Sequence, residues 1–248
     1  MITSLQNPII KHIYKLQNDS QFCQEQKQYV VEGIKTVREI IQAEIEVAYF
    51  IYTSEYSELN SVPSKFKPVE VSKICLAKIS KLKTPQNVLV VLNIFPKPLD
   101  YPKKPILICD GIQDPGNLGT LIRTVDAMMW EGIICVNQCA YPYSSKVIRA
   151  SMGSHLRVAI WEYTVEQLLE LKLKAKILFI GADVAGESIK HWKKPNQNYA
   201  LLVGSEGQGL SSDLLSCCDQ MVSIPMKGSI DSLNAAIAAA ILMFTMNS

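Results

Sequence analysis

Runs of apolar residues bounded by turn-forming residues divide the chain into two α/β parts. In the first part, YVVEG (Tyr29 to Gly33), EVAYFIY (Glu46 to Tyr52) and NVLVVLN (Asn87 to Asn93) read as strands, with Ile34 to Ala43 and Ser72 to Ser80 as helices between them. The segment FPKPLDYPKKP then intervenes, from Phe95 to Pro105. Its prolines forbid regular ladders and its lysines favour water, so 96–105 is expected to be a linker. Beyond it, short buried-type runs recur as ILIC (from Ile106), IICV (Ile133), ILFI (Ile177), ALLV (Ala200) and MVSI (Met221), separated by helical segments. Strand and helix in alternation predict a parallel sheet. The expected fold class is therefore α/β, with a small N-terminal α/β domain (1–95) and a C-terminal parallel-sheet α/β domain (106–248).

Composition narrows the classes. With 48% hydrophobic and 19% charged residues, the chain reads as globular rather than disordered or fibrous. Its longest apolar run, Ala235 to Phe244, is shorter than the roughly 20 residues of a membrane-spanning helix, so no membrane partner is expected. The opening residues MITSLQNPIIKHIYK lack an apolar core followed by a small-residue cleavage site, and a cytoplasmic location is the expectation. Cysteines are scattered: Cys109 and Cys135 lie in strand-like runs, and the close pairs Cys135/Cys139 and Cys217/Cys218 lack zinc-site spacing. No metal site is expected. The histidines His12, His155 and His191 are far apart and read as structural or exposed. Residues 1–104 carry 14 Lys and Arg against 10 Asp and Glu, whereas the remainder is slightly acidic. That excess suits a surface that meets phosphates and an ordinary solvated surface equally well.

Three of the strand-like runs, at Ile106, Ala200 and Met221, lead straight into loops rich in Gly, Asn, Ser and acidic residues. Ligands in parallel α/β sheets collect beyond the carboxyl ends of strands, so these loops are expected to share one site. In the first, DGIQDPGNLGTLIRTVDAMMWEG (Asp110 to Gly132), a turn precedes a helix whose Leu118, Leu121, Ile122, Val125 and Met129 fall on one face. Asn117, Thr120 and Arg123 recur at three-residue spacing along another side; a helix cap with a surface arginine explains them as well as a site does. The second loop, GSEGQGLS (Gly204 to Ser211), fits neither the dinucleotide nor the Walker glycine pattern, and Glu206 would repel a pyrophosphate. A ligand without phosphate suits it better. The third, IPMKGSIDSLNAAIAAAILMF (Ile224 to Phe244), ends in an alanine-dense helix for which Ser232 is the expected N-cap.

Taken together and in this order, these segments resemble the motifs of the SpoU-type, or TrmH-like, branch of the SPOUT methyltransferases. The resemblance covers Asp110 to Gly132, SSKVIRASMGS (Ser144 to Ser154), LLVGSEGQGLS (Leu201 to Ser211) and IPMKGSIDSLNAAIAAA (Ile224 to Ala240). The first part also resembles the substrate-binding domain often fused to that family, through SLQNPIIKHIYKL (Ser4 to Leu16), YVVEG and ISKLKTPQNVLVV (Ile79 to Val91). Asn87 stands where that domain commonly has glycine, and Ala235 and Ala236 follow SLN where a valine and a small residue are more usual.

The resemblance implies a C-terminal domain tied in a deep trefoil knot, a homodimer, and transfer of a methyl group from S-adenosylmethionine to a ribose 2′-hydroxyl of structured RNA. Ribosomal RNA is favoured by the fused N-terminal domain, with transfer RNA as the alternative. By motif position, Asn117, Arg123, Glu206, Ser232 and Asn234 are the polar residues of the catalytic centre. The cofactor is expected against Leu202, Val203, Gly204, Glu206, Gly207, Gly209, Ile224, Pro225, Met226, Ser232 and Leu233. Lys146 and Arg149 suit RNA phosphates, or are simply solvated. A catalytically silent RNA-binding protein is a rival reading, opposed by the presence of all five polar positions. A nucleotide- or NAD-binding protein is another, opposed by the missing phosphate fingerprints.

Overall fold

The structure is a computed structural model, which describes residues 1–95, 98–228 and 232–247. By its contacts the chain forms two compact units, Met1–Phe95 with Tyr143–Leu156, and Pro96–Pro142 with Arg157–Ser248. In the first unit the chain order is α1 (Pro8–Asn18), α2 (Ser20–Gln26), β1 (Gln28–Glu32), α3 (Ile34–Gln42), β2 (Val47–Tyr52), β3 (Val69–Glu70), α4 (Lys73–Ile79) and β4 (Val88–Asn93). Helix α1 starts where Asn7 accepts the Ile9 amide at 2.9 Å with Pro8 in the first turn, and it buries Ile10, Ile13 and Leu16. The sheet order is β1-β4-β2-β3, with β4 antiparallel to both neighbours and β2 parallel to β3. Its core gathers Val31, Val37, Ile40, Phe50, Val88 and Val90. Asn87 adopts φ +63°, a left-handed conformation that asparagine tolerates, and its Oδ1 accepts Thr53 Oγ1 at 3.0 Å. The family's glycine position is thus filled by the next most permissive residue type.

The second unit is built from β5 (Ile106–Asp110), α5 (Pro115–Ala127) and β6 (Gly132–Val136), then, after the excursion containing α6 (Ser145–Ala150), from β7 (Ala159–Glu162), α7 (Val165–Ala175), β8 (Leu178–Ser188), β9 (Tyr199–Gly204), α8 (Ser212–Ser216), β10 (Gln220–Ser223) and α9 (Ala235–Asn247). All six strands are parallel, in the order β10-β8-β9-β5-β6-β7. From β5 the chain winds outward to β7, and the later strands lie on the other side. The order reverses between β5 and β9, where a crevice opens at the carboxyl ends.

The excursion matters for domain organisation. Although it lies within 106–248 in sequence, Tyr143–Leu156 belongs by contacts to the first unit, where Ile148 of α6 joins the core of that unit's sheet. The linker stretch is also less wet than its lysines imply. Leu99 is buried in the second unit's core, Asn198 Nδ2 donates to the Pro102 carbonyl, and Lys174 pairs with Asp100 at 2.8 Å. Pro96 and Lys97 of that stretch lie outside the described residues.

Two helix-end expectations fail for local reasons. Leu118, Leu121, Ile122 and Val125 of α5 are all buried, but Met129 is 72% exposed. The helix stops at Ala127, Met129 takes φ +55°, and Trp130 is buried instead, donating its indole N–H to Asn247 at 2.8 Å. At α9 the cap is Asn234 rather than Ser232: Asn234 Oδ1 accepts the amides of Ala236 and Ile237 at 3.1 and 3.2 Å.

Candidate active site

The middle of β8 and the carboxyl ends of β9 and β10 with the loops that follow them, together with the start of α9, line a cavity of about 300 Å³. Of the positions expected to hold a cofactor, Val203, Gly204, Glu206, Gly209, Ile224, Met226, Ser232 and Leu233 line it. Leu202 does not. It alternates to the opposite face of β9 and is buried in the core. Gly207 lines a neighbouring cavity instead, and Pro225 lines neither. Ala182, Asp183 and Val184, midway along β8, also line the cavity, three residues that the loop pattern in the sequence did not single out.

The loop after β9 is shaped by a close backbone approach. Ser205 and Gly209 exchange both amide–carbonyl bonds, at 3.1 and 2.9 Å. A Cβ on Gly204 would lie 2.0 Å from the Gly209 carbonyl carbon, while Gly209 itself has φ +67°. Gly207 is different, since a Cβ there meets nothing within 4 Å. Gly207→Ala is therefore expected to keep the dissociation constant for S-adenosylmethionine within about twofold of wild type, as read by titration calorimetry. A tenfold loss would show that the bound loop makes a contact the free loop lacks.

A second, larger cavity of about 690 Å³ shares the Ser205–Gly209 loop and Ala235 as a wall, and extends over the ends of β5 and β6. Where the two meet, Glu206 Oε1 accepts Asn117 Nδ2 at 2.9 Å, Asn234 Nδ2, and the Ala235 amide at 3.4 Å. Asn234 Nδ2 also reaches Asn117 Oδ1 at 3.0 Å. Three sequence-distant motifs thus converge on one carboxylate, placed at the amino end of α9 where the helix dipole favours negative charge. Among the described residues, all the partners of that carboxylate are amide N–H groups.

Asp110 braces the far wall. Only 3% exposed, it accepts Asn137 Nδ2 at 2.8 Å with one oxygen and the Ser211 amide at 2.6 Å with the other. Asn137 and Gln138 both have positive φ, so the turn after β6 is held in a conformation that β-branched residues avoid. Beneath it Cys109 is buried, and burial pushes its thiol well above the ordinary range, leaving it unsuited to nucleophilic work.

Arg123 is not gathered into this cluster. It is exposed, lines neither cavity, and has no hydrogen bond or ion pair among the described residues. Along α5 it stands about 9 Å beyond Asn117 and about 240° around the axis. Ser232 is exposed at the cavity wall. Lys146 is exposed and Arg149 half-buried, with its Nη1 buried and lacking a hydrogen-bond partner; both belong to α6 of the first unit. Neither cavity has a lysine or arginine in its lining among the described residues, which suits a ligand without phosphate.

Comparison with known proteins agrees with this geometry. A model of the SpoU rRNA Methylase family matches residues 104–244, and a model of an MRM3-like substrate binding domain matches residues 7–90. The 23S rRNA (guanosine(2553)-2'-O)-methyltransferase RlmP of Bacillus subtilis is 27% identical over 217 residues, which is 87% of this chain and 87% of that protein. An uncharacterized tRNA/rRNA methyltransferase of Synechocystis is 30% identical over 254 residues, covering 98% of this chain and 92% of that one. Among solved structures, an AdoMet-bound rRNA methyltransferase from Sinorhizobium meliloti has a TM-score of 0.89 at 28% identity, over 99% of this chain and 96% of that chain.

A parallel α/β sheet with a phosphate-free cofactor cavity at its carboxyl edge, in a chain with these relatives, is an S-adenosylmethionine-dependent RNA methyltransferase. The chain belongs to the SpoU rRNA methylase family.

Proposed function

We propose that this protein methylates a ribose 2′-hydroxyl of ribosomal RNA in the cytoplasm, as a homodimer in which each site is completed by the second copy. The observation that carries the proposal is the meeting of Asn117, Glu206 and Asn234 at the wall shared by two cation-free cavities. Residues 1–95, with the excursion 143–156 that packs with them, are the RNA-binding domain, and the rest of 106–248 is the methyltransferase domain, knotted as a deep trefoil. Lys146 and Arg149 lie in the excursion between motifs and contact RNA phosphates. Among the described residues, no helix is long and apolar enough to cross a membrane.

The cavity fits S-adenosylmethionine by its chemistry. Its walls are largely aliphatic, from Val203, Ile224, Met226, Leu233 and Leu242, and its charged side chains are the carboxylates of Asp183 and Glu206, which suit a net cation. When bound, the cofactor supplies an electrophilic methyl on a sulfonium. Val203, Gly204, Gly209, Ile224, Met226, Ser232 and Leu233 hold it in place. Asn117, Glu206 and Asn234 fix the shared wall, against which the ribose would be positioned; such positioning is a large part of the rate.

Arg123 then needs a route to the reaction. A guanidinium offers hydrogen-bond donors and no acceptor, so it is a poor base and a good stabiliser of the negative charge that develops on the 2′-oxygen. The proton leaves to water or another group. Because Arg123 is exposed and lines neither of its own chain's cavities, the partner copy presents it. Ile237, Ile241 and Phe244 support the pairing: they lie exposed at one-turn spacing along α9, which packs against α5, the helix carrying Arg123.

The test is twofold. Purified protein is expected to bind S-adenosylmethionine at least about 100-fold more tightly than NAD or ATP by calorimetry. Mapping of 2′-O-methylated positions in total RNA, with and without the protein, is expected to show a ribosomal position lost in its absence. A lost transfer-RNA position would move the substrate to the alternative class, and no lost position would sink the proposal.

A further inference from the structure

Strand β8 breaks its ladder with β10 at one place. Met221 stands opposite Gly181, but the next residue, Val222, stands opposite Glu187, so residues 182–186 have no partner in β10. Such an insertion bends a strand and re-aims its side chains. Glycines bracket the bulge where it crosses β10. A Cβ on Gly181 would lie 2.7 Å from Met221 Sδ, and one on Gly186 would lie 2.6 Å from the Val222 carbonyl carbon. Ser223 Oγ donates to the Gly186 carbonyl at 2.8 Å, tying down the far end.

The bulge delivers Asp183 into the wall of the 300 Å³ cavity. Asp183 Oδ1 accepts the Ala185 amide at 2.8 Å, which orients the carboxylate, whereas Oδ2 has no hydrogen bond or ion pair among the described residues. Glu206, the other carboxylate of the lining, is engaged through Oε1 by two asparagines and an amide. Asp183 is thus an oriented anionic acceptor with an oxygen to spare and no cation in the lining to neutralise it.

We propose that Asp183 is a cofactor-binding residue that accepts hydrogen bonds from donor groups of S-adenosylmethionine; this rests on the methyl-donor reading of the cavity. Two parts of that molecule carry the chemistry, the vicinal ribose hydroxyls and the α-ammonium. A carboxylate serves either, while it repels a phosphate-bearing ligand.

Asp183→Asn isolates the effect, since the amide keeps an oxygen for the Ala185 N–H and replaces the spare acceptor by a donor. Titration calorimetry of the full-length protein is expected to show S-adenosylmethionine bound about 10- to 100-fold more weakly by Asp183→Asn than by wild type. The melting temperature of the ligand-free variant is expected to be unchanged. Titration with 5′-methylthioadenosine, which keeps the ribose and lacks the amino-acid end, separates the two donors. An equal loss places the carboxylate on the ribose, and a preserved affinity places it on the ammonium. Wild-type affinity for S-adenosylmethionine in Asp183→Asn overturns the assignment. Wild-type protein that binds none overturns the reading of the cavity itself, a separate failure.

Discussion

Replacing Arg123 by alanine is expected to lower single-turnover methyl transfer by about 10²- to 10³-fold, the cost of removing one donor from a developing oxyanion. The dissociation constant for S-adenosylmethionine is expected to stay within about twofold of wild type. The split follows from position. Arg123 is exposed on α5, outside both cavities, and no described residue depends on it for a hydrogen bond. Its removal leaves the Asn117–Glu206–Asn234 cluster and the cofactor walls as they are. Arg123→Lys keeps the charge but not the planar fork, so it is expected to recover only part of the rate. Turnover equal to wild type in Arg123→Ala would remove the residue from the mechanism, whereas a parallel loss of cofactor binding would place it on the cofactor side.

The sheet was legible in the sequence because each buried strand is a short unbroken apolar run, and the site was legible where such runs ended in polar glycine-rich loops. The rule that ligands gather beyond strand ends was applied to three strands but not to ILFI from Ile177, although GADVAGES follows it; Asp183 was missed for that reason. Strand β7 escaped because AIWE is too short to show a period, and β3 is shorter still. Ser232 was expected to cap α9 as a competent N-cap type; Asn234 is equally competent, and only the amide directions of Ala236 and Ile237 show that it takes the role. Met129 misled because helical spacing continues through a residue at which the backbone has already turned left-handed. The placement of Tyr143–Leu156 with the first unit is a long-range packing choice that local pattern does not encode. The convergence of Asn117, Glu206 and Asn234 was readable through the family motifs alone, since no spacing rule joins residues so distant in the chain.

Gly204→Ala is expected to remove cofactor binding, with a loss of at least about 100-fold in affinity. The added methyl group would stand 2.0 Å from the carbonyl carbon and oxygen of Gly209, which are backbone atoms and cannot rotate away. Relief therefore requires parting the Ser205–Gly209 bridge, the wall that both cavities share. Overpacking of this kind costs about 1–3 kcal/mol, so the melting temperature is expected to fall by roughly 2–12 °C while the sheet persists. Unchanged affinity would mean that the loop adopts another path when it binds. The variant also tests the arrangement across subunits. A Gly204→Ala chain lacks a cofactor cavity but retains Arg123, and an Arg123→Ala chain has the reverse defect. If Arg123 acts within its own chain, mixing the two restores nothing. If it acts across a two-fold interface, random pairing is expected to return about a quarter of wild-type turnover, because half the dimers are mixed and each of those holds one complete site. Met226→Trp, which fills the same cavity from another wall, serves as the cofactor-dead partner should Gly204→Ala fail to pair.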